Sequence, residues 1–392
     1  MGKLVIKDKI VIIIAVFILV GSNIFRFDNL YLFDKAFTII SILIIIAIPL
    51  RISINKSIIP ILCCFICVFG VIAINTFYHS IVDNGSILVV FLIKILALTI
   101  LLGRYVNNTN LIYEIISKVF FVILLLNILQ TSFFPDVLGK RDGKDLYLIG
   151  SNYNNFGGTY ILGIFSSWVL LKLDKKYRWM YWAQLLLSFF SVVSVGSITS
   201  ATALFFIILY SLLQKYRVVQ KVAPLLLLLC VFLFLCLVVL QNNVTILSGI
   251  DLVSMFLGET GKELTFSGRL YIWSNALRII DQNPVFGVGY YQNGEWAELY
   301  LSAVNAHNIV LDVLLVGGYT LLCLIVLFVF KLFHTLRKKI QQEYFCGIIL
   351  FSSVFFLMMQ FEVYSYFIIS LFVLLVYLSG FSKKFKTDNN SY

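Results

Sequence analysis

The feature that most constrains this chain is a recurring apolar run of about 16 to 23 residues, long enough for a helix to cross a hydrocarbon core of roughly 30 Å. Such runs fall near 10–25, 36–50, 57–75, 86–103, 113–133, 154–171, 179–195, 198–214, 222–241, 308–330, 345–361 and 363–380. Twelve of them in 392 residues leave little chain for a soluble domain. Backbone in lipid must satisfy its own hydrogen bonds, so each run is expected to be helical. Charged residues make up 12% of the chain and the mean hydropathy is +0.98, whereas soluble domains carry about 25% charge. The expectation is an all-α, polytopic transmembrane bundle of about twelve spans with one long outer loop.

Orientation follows from lysine and arginine, which short cytoplasmic loops retain. With both termini inside, twenty basic residues fall in inner segments, eight in outer segments and two, Lys94 and Lys118, within spans. The net charge of +11 is therefore expected to face anionic lipid rather than nucleic acid. The first run follows Lys3, Lys7 and Lys9 without a small-residue cleavage pattern, as an uncleaved anchor would. None of the seven cysteines falls in an outer loop, so no disulfide framework is expected.

Three regions follow. Residues 1–241 form an N-terminal membrane bundle of about nine spans with an outer loop at 134–153. Residues 242–306 form a long extracytoplasmic loop, and residues 307–392 a C-terminal bundle of about three spans. Polar and ionisable groups near a bilayer need a partner or a ligand, so the long loop is the place to look for function.

Within it, 267–282 has helical periodicity. Leu270, Trp273, Ala276, Leu277 and Ile280 share one face, and Ser274, Asn275, Arg278 and Asp281 the other. Arg269 projects among the apolar residues in the first turn, where it could hold a phosphate or snorkel from the helix end. Arg278 projects from the polar face, toward substrate or solvent. Asn283 and Pro284 end the helix, and Gly287 and Gly289 in FGVGYY shape a turn, there being no preceding strand for a dinucleotide site. Tyr290, Tyr291 and Trp296 suit stacking on sugars or an aromatic belt. His307 and Asn308 open the tenth span, beside Asn305. A neutral imidazole there can accept a proton from a hydroxyl. His79 and His334 have no such neighbours in sequence. Glu295, Glu298 and Glu362 are further acid-base candidates on the outer side.

The loop at 134–153 carries Arg141, then Ser151, Asn152, Asn154 and Asn155 at the start of the sixth span. Amide and hydroxyl groups at a helix N-terminus suit an anion or a sugar, with capping the plainer role for Asn154. The hairpin SVGSITSAT offers Ser197, Thr199, Ser200 and Thr202 either as small packing residues or as a polar lining.

SGRLYIWSNALRIIDQNPVFGVG, followed about twenty residues later by AHNIVLDVLLVGG, resembles the bacterial O-antigen ligase and polysaccharide repeat-unit polymerase (Wzy-type) superfamily. RDG…GSNYNNFGG is similar to that family's earlier outer segment. The chain departs from the pattern where Thr199, Ser200 and Ala201 replace a Ser-Arg pair, and where Val316 replaces a glutamate for which Asp312 is a nearby substitute. The resemblance implies a metal-independent, cofactor-free membrane glycosyltransferase of the GT-C type. Its donor and acceptor would be undecaprenyl-pyrophosphate-linked glycans, polymerised into O-antigen or capsular polysaccharide at the outer face of the bacterial cytoplasmic membrane, with a chain-length regulator as a further partner. It implies His307 as base or phosphate ligand and Arg269 and Arg141 as stabilisers of the leaving pyrophosphate. Asn152, Asn154, Arg278, Asn308 and Asp312 would complete the substrate site. A ligase would differ only in acceptor. A lipid-linked oligosaccharide flippase and a structural assembly partner are alternatives of a different class.

Overall fold

The computed structural model of the chain describes residues 12–18, 20, 39–40, 42–43, 55–79, 82–134, 140–141, 144–145, 148, 156–214, 216, 218–219, 222, 225–226, 229–233, 269–291, 293–296, 305–382 and 385. Most of the spans expected at 36–50 and 222–241, the loop at 242–268, and Asn152 and Asn154 lie outside them.

The helices are α1 (Ile59–Tyr78), α2 (Val82–Gly103), α3 (Thr109–Phe133), α4 (Phe156–Leu173), α5 (Arg178–Val195), α6 (Ile198–Leu213), α7 (Arg269–Gln282), the single turn α8 (Asn293–Trp296), α9 (Ile309–Lys339), α10 (Gln342–Met359) and α11 (Tyr366–Ser379). Residues 12–18 are helical as well. A two-residue antiparallel pair, β1 (Lys140–Arg141) and β2 (Lys144–Asp145), sits between α3 and α4 with Arg141 opposite Lys144. The fold is a helical bundle with, among the described residues, four helices long and apolar enough to cross a membrane: Lys56–Tyr78, Thr109–Phe133, Ile309–Lys339 and Gln342–Met359. Shorter apolar helices lie at Ile87–Gly103, Gly157–Leu173, Ile198–Leu213 and Tyr366–Ser379.

The bundle is built around α4, which packs against α3, α5, α6, α10 and α11. Residues 157–170 of this helix are buried without interruption, and its sequence is correspondingly apolar on every side, as a central helix requires. Phe165 meets Phe351 and Phe372, each with centroids 5.4 Å away, and Trp168 lies 5.3 Å from Phe351. Lipid tails are as apolar as leucine, so helix association rests on close packing and on hydrogen bonds between helices. Both meet at Gly163. A Cβ there would lie 2.6 Å from the Gln184 side-chain oxygen and 2.9 Å from the Phe120 Cβ. The absent side chain lets buried Gln184 of α5 donate to the Ser117 carbonyl of α3 at 2.7 Å.

The hairpin between α5 and α6 uses its hydroxyls for packing. Ser197 donates to Ser200, both buried, and Tyr160 of α4 donates to the Ser200 carbonyl at 2.6 Å. Lys118 pairs with Glu114 one turn away. The helix expected at 308–330 runs on to Lys339 and ends on Arg337, Lys338 and Lys339, cations that a helix C-terminus favours.

Substituting Gly163→Leu is expected to lower the thermal midpoint in detergent, since overpacking a filled site costs about 1–3 kcal/mol. Gly70→Ala is the control. Nothing lies within 4 Å of its Cβ position, and alanine is the better helix former by about 1 kcal/mol. Equal midpoints for the two variants would contradict the packing described.

Candidate functional site

Three segments far apart in sequence meet at one carboxylate. Glu362, in the loop joining α10 to α11, has a side chain only 6% exposed. Its Oε1 accepts from the Arg269 guanidinium at 2.5 Å, and its Oε2 lies 3.3 Å from Nδ1 of His307. Arg269 opens α7 and His307 lies one residue before the N-cap of α9. A buried carboxylate is tolerated only with such partners, so the loop, α7 and α9 are tied by one electrostatic requirement.

The sequence around His307 is built to hold it. Its backbone is left-handed, with φ of +48°, a conformation that non-glycine residues adopt at a cost and that gathers at functional sites. The Asn305 side chain accepts from the His307 N–H at 2.8 Å, and the Trp273 indole N–H of α7 donates to the Ala306 carbonyl at 2.9 Å. Asn308 then caps α9, accepting from the Val310 and Leu311 N–H groups at 2.9 and 3.2 Å. Its amide donates to the backbone carbonyl and side-chain oxygen of Gln360, each at 3.2 Å. One turn into α9, buried Asp312 accepts from the Tyr366 hydroxyl at 2.8 Å. Asn308 is therefore a positioning residue, and Asp312 is held by α11.

Helix α7 buries Ile272, Trp273, Ala276, Ile279 and Ile280 and exposes Tyr271, Ser274, Arg278, Asp281 and Gln282. The buried stripe differs from the expected one in taking Ile272 and Ile279 where Leu277 is only partly covered. The amphipathic pattern tolerates this shift because the residues 276–280 are apolar on either side of Arg278. Arg269 turns inward as expected, but toward Glu362. A guanidinium has five N–H donors in a fork, so this contact leaves others for an anion. Arg278, exposed and about 13 Å further along the helix at 1.5 Å per residue, is not part of the cluster.

The turn after α7 locks the cluster to the bundle. Helix α9 is interrupted at Gly318, whose φ of +61° and ψ of −164° only glycine adopts readily. The segment Pro284–Val288 enters the gap. Val288 N–H donates to the Leu315 carbonyl at 2.7 Å, and the Tyr319 and Thr320 N–H groups donate to the carbonyls of Pro284 and Val285 at 2.8 and 3.2 Å. Asn75 of α1 donates through its one amide nitrogen to Phe286 and Val316 carbonyls at 2.5 and 2.7 Å. The broken helix thus has its freed backbone groups satisfied by another segment, the condition for irregular backbone within a membrane bundle. The paired glycines Gly287 and Gly318 permit the approach, since a Cβ on either would lie 2.3 Å from a carbonyl oxygen of the other segment.

The remaining sequence candidates are placed elsewhere. Arg141 lies on the two-residue hairpin, and its side chain, like Asn152 and Asn154, is outside the described residues. Trp296 is buried against Tyr291, with ring centroids 5.0 Å apart, a packing role. Glu362 is one of three candidate carboxylates by sequence; it lies beside Arg269 and His307, whereas Glu295 is on α8 and Glu298 is outside the described residues. Gln360, Tyr366 and Asn75 carry no local signal, being single polar residues within or beside apolar runs. His79, isolated in sequence, lies across a cleft from Arg278.

Gly318→Ala is expected to lower the thermal midpoint by more than a typical surface change. It combines backbone strain of about 1–3 kcal/mol with a collision at the Val285 carbonyl. Asn75→Leu, which strands two carbonyls, is expected to do the same, at about 1–3 kcal/mol per unsatisfied group. Wild-type midpoints in both variants would contradict the interlock.

Residues 183–326 match a family model described as O-antigen ligase. The matched stretch begins within α5, takes in α6, α7, the inserted turn, His307 and the first half of α9, and stops short of Glu362. No curated protein matches the chain significantly. The motifs at Ser267–Gly289 and Ala306–Gly318 fall within the matched stretch, so the segment that resembles the family in sequence is also the one its model matches.

Proposed function

We propose that the protein transfers a glycan from a lipid pyrophosphate to a sugar hydroxyl, polymerising undecaprenyl-pyrophosphate-linked repeat units into O-antigen or capsular polysaccharide. The observation that carries this reading is the Arg269–Glu362–His307 cluster, a cation and an imidazole held by one carboxylate, with Arg269 and His307 both inside the stretch that matches the O-antigen ligase family model. In the proposed step, the acceptor hydroxyl oxygen forms a bond to the anomeric carbon of the donor. The bond from that carbon to the phosphate oxygen breaks, and the lipid pyrophosphate leaves with the electron pair.

His307 takes the acceptor proton. With Nδ1–H directed at Glu362, Nε2 is left as the acceptor, the tautomer logic by which a carboxylate orients a catalytic imidazole. Arg269 offers its remaining donors to the charge that develops on the departing phosphate, an interaction stronger in the transition state than in the ground state. Glu362 fixes both groups at once. It thereby acts as a positioning residue. Asn308 ties the start of α9 to Gln360, and Asp312 ties it to α11 through Tyr366.

The transfer would occur on the extracytoplasmic side of the cytoplasmic membrane, with both termini inside, in keeping with the distribution of basic residues. A chain-length regulator and the lipid-linked glycans would be its partners, and the GT-C type its mechanistic class. The description of the matched family favours a second reading, ligation of the finished polymer to another glycolipid.

The test supplies purified protein with a lipid-linked repeat unit and resolves products by length on a gel. A ladder is expected from wild type. Arg269→Ala and His307→Ala are each expected to lose about 10²–10⁴ in rate, and Glu362→Gln at least about tenfold through misorientation. A single transfer to a different glycolipid, with no ladder, would select the ligase reading. Undiminished transfer in the Arg269 and His307 variants would overturn the site.

A further inference from the structure

A second polar cleft lies away from the Arg269 cluster, at the other end of α7. It has a volume of about 520 Å³ and is lined by His79, Arg278, Ile279, Gln282, Asn283 and Val288. His79 closes α1 with its backbone N–H bonded to Asn75. The other five residues belong to the end of α7 and the turn that enters the break in α9, so the walls are parts of the bundle's interlock. The His79 ring touches Tyr78 edge-on at 5.4 Å, and Asn283 donates to the Ile279 carbonyl at 3.3 Å. Among the described residues, Arg278 has no ion-pair partner, and exposed Asp281 on the same turn does not pair with it.

Arg278 belongs to the exposed face of α7, whose Tyr271, Ser274, Arg278 and Gln282 succeed one another at three- and four-residue spacing. They form a continuous ridge. It runs from the turn that holds Arg269 to the cleft, about 13 Å between the two arginines, a distance that a few sugar residues span. A guanidinium, an imidazole and two carboxamides lining one cleft with Ile279 and Val288 present donors to anionic oxygen and adaptable groups to hydroxyls. A neutral polymer would leave the cation without a counterpart.

We infer that the His79–Arg278 cleft is a distal saccharide subsite that takes a glycan bearing a carboxylate or phosphate substituent, a few residues from the bond being made. It rests on the transfer reading only in supposing that a glycan lies along α7. The subsite selects which polymer is extended, while the Arg269 cluster performs the transfer.

The test is a calorimetric titration of the full-length protein in phosphatidylcholine nanodiscs. The probes are a tetrasaccharide of alternating glucuronate and N-acetylglucosamine and the uncharged tetrasaccharide chitotetraose. The acidic probe is expected to bind at least about tenfold more tightly, the gain of one charge-assisted contact. Arg278→Ala is expected to abolish the preference and His79→Ala to reduce it, whereas His307→Ala retains it, so failure of the transfer chemistry leaves this result standing. Equal binding of the two probes, or a preference that survives Arg278→Ala, would overturn the assignment. Loss of acidic-probe binding when phosphatidylglycerol is added to the nanodisc would instead give the cleft to a lipid headgroup and would equally overturn it.

Discussion

The structure depends on one buried carboxylate. Glu362 holds Arg269 at the start of α7 and His307 at the start of α9, and no single segment of the chain could satisfy it alone. The loop around it works residue by residue. Gln360 receives the Asn308 amide, Glu362 receives the cation and the imidazole, and the ring of Tyr364 lies over Gly157 and Gly158 at the start of α4. One short connection therefore ties the central helix to both ends of the candidate site. The cost of leaving an ion unpaired in such a place makes the arrangement all-or-none.

The second constraint is backbone satisfaction in the middle of a helix. Gly317 and Gly318 would be a weakness in an isolated span, because the interruption frees carbonyls on one side and N–H groups on the other. The Pro284–Val288 turn supplies partners to both sides and Asn75 closes the gap from α1. Helix α7 is thus tied twice, to α9 through this insertion and to the residues just before α9 through Trp273 at Ala306. Two attachments fix its axial rotation. That rotation points Arg269 inward and Arg278 outward, giving two basic residues of one helix different surroundings.

Much of the helical order was legible because apolar runs of membrane length have few physical solutions; α1 to α6 and α9 to α11 lie where those runs lie. The amphipathic α7 was legible for the same reason, to within the exchange of Leu277 for Ile272 and Ile279 on its buried face. His307 and Arg269 stood out as ionisable residues beside glycines, a tryptophan and asparagines. Their common partner did not, since Glu362 is 55 residues beyond His307, while Glu295 and Glu298 lie much nearer to it in the chain. Asn75 was invisible, an amide in an apolar helix whose two acceptors are 211 and 241 residues away. Pattern and propensity are local, whereas these contacts are set by which helices pack together. The interruption at Gly318 could be suspected from the paired glycines, but not the segment that fills it.

The central claim is that Glu362 acts through His307. A double-mutant cycle in transfer rate, using Glu362→Gln, His307→Gln and the combination, measures this coupling directly. The account predicts that Glu362→Gln costs at least about tenfold in the wild-type background and clearly less once His307 is replaced, the remainder being its hold on Arg269. Losses that simply multiply in the double variant would contradict it, and would mean that the carboxylate and the imidazole serve the reaction independently.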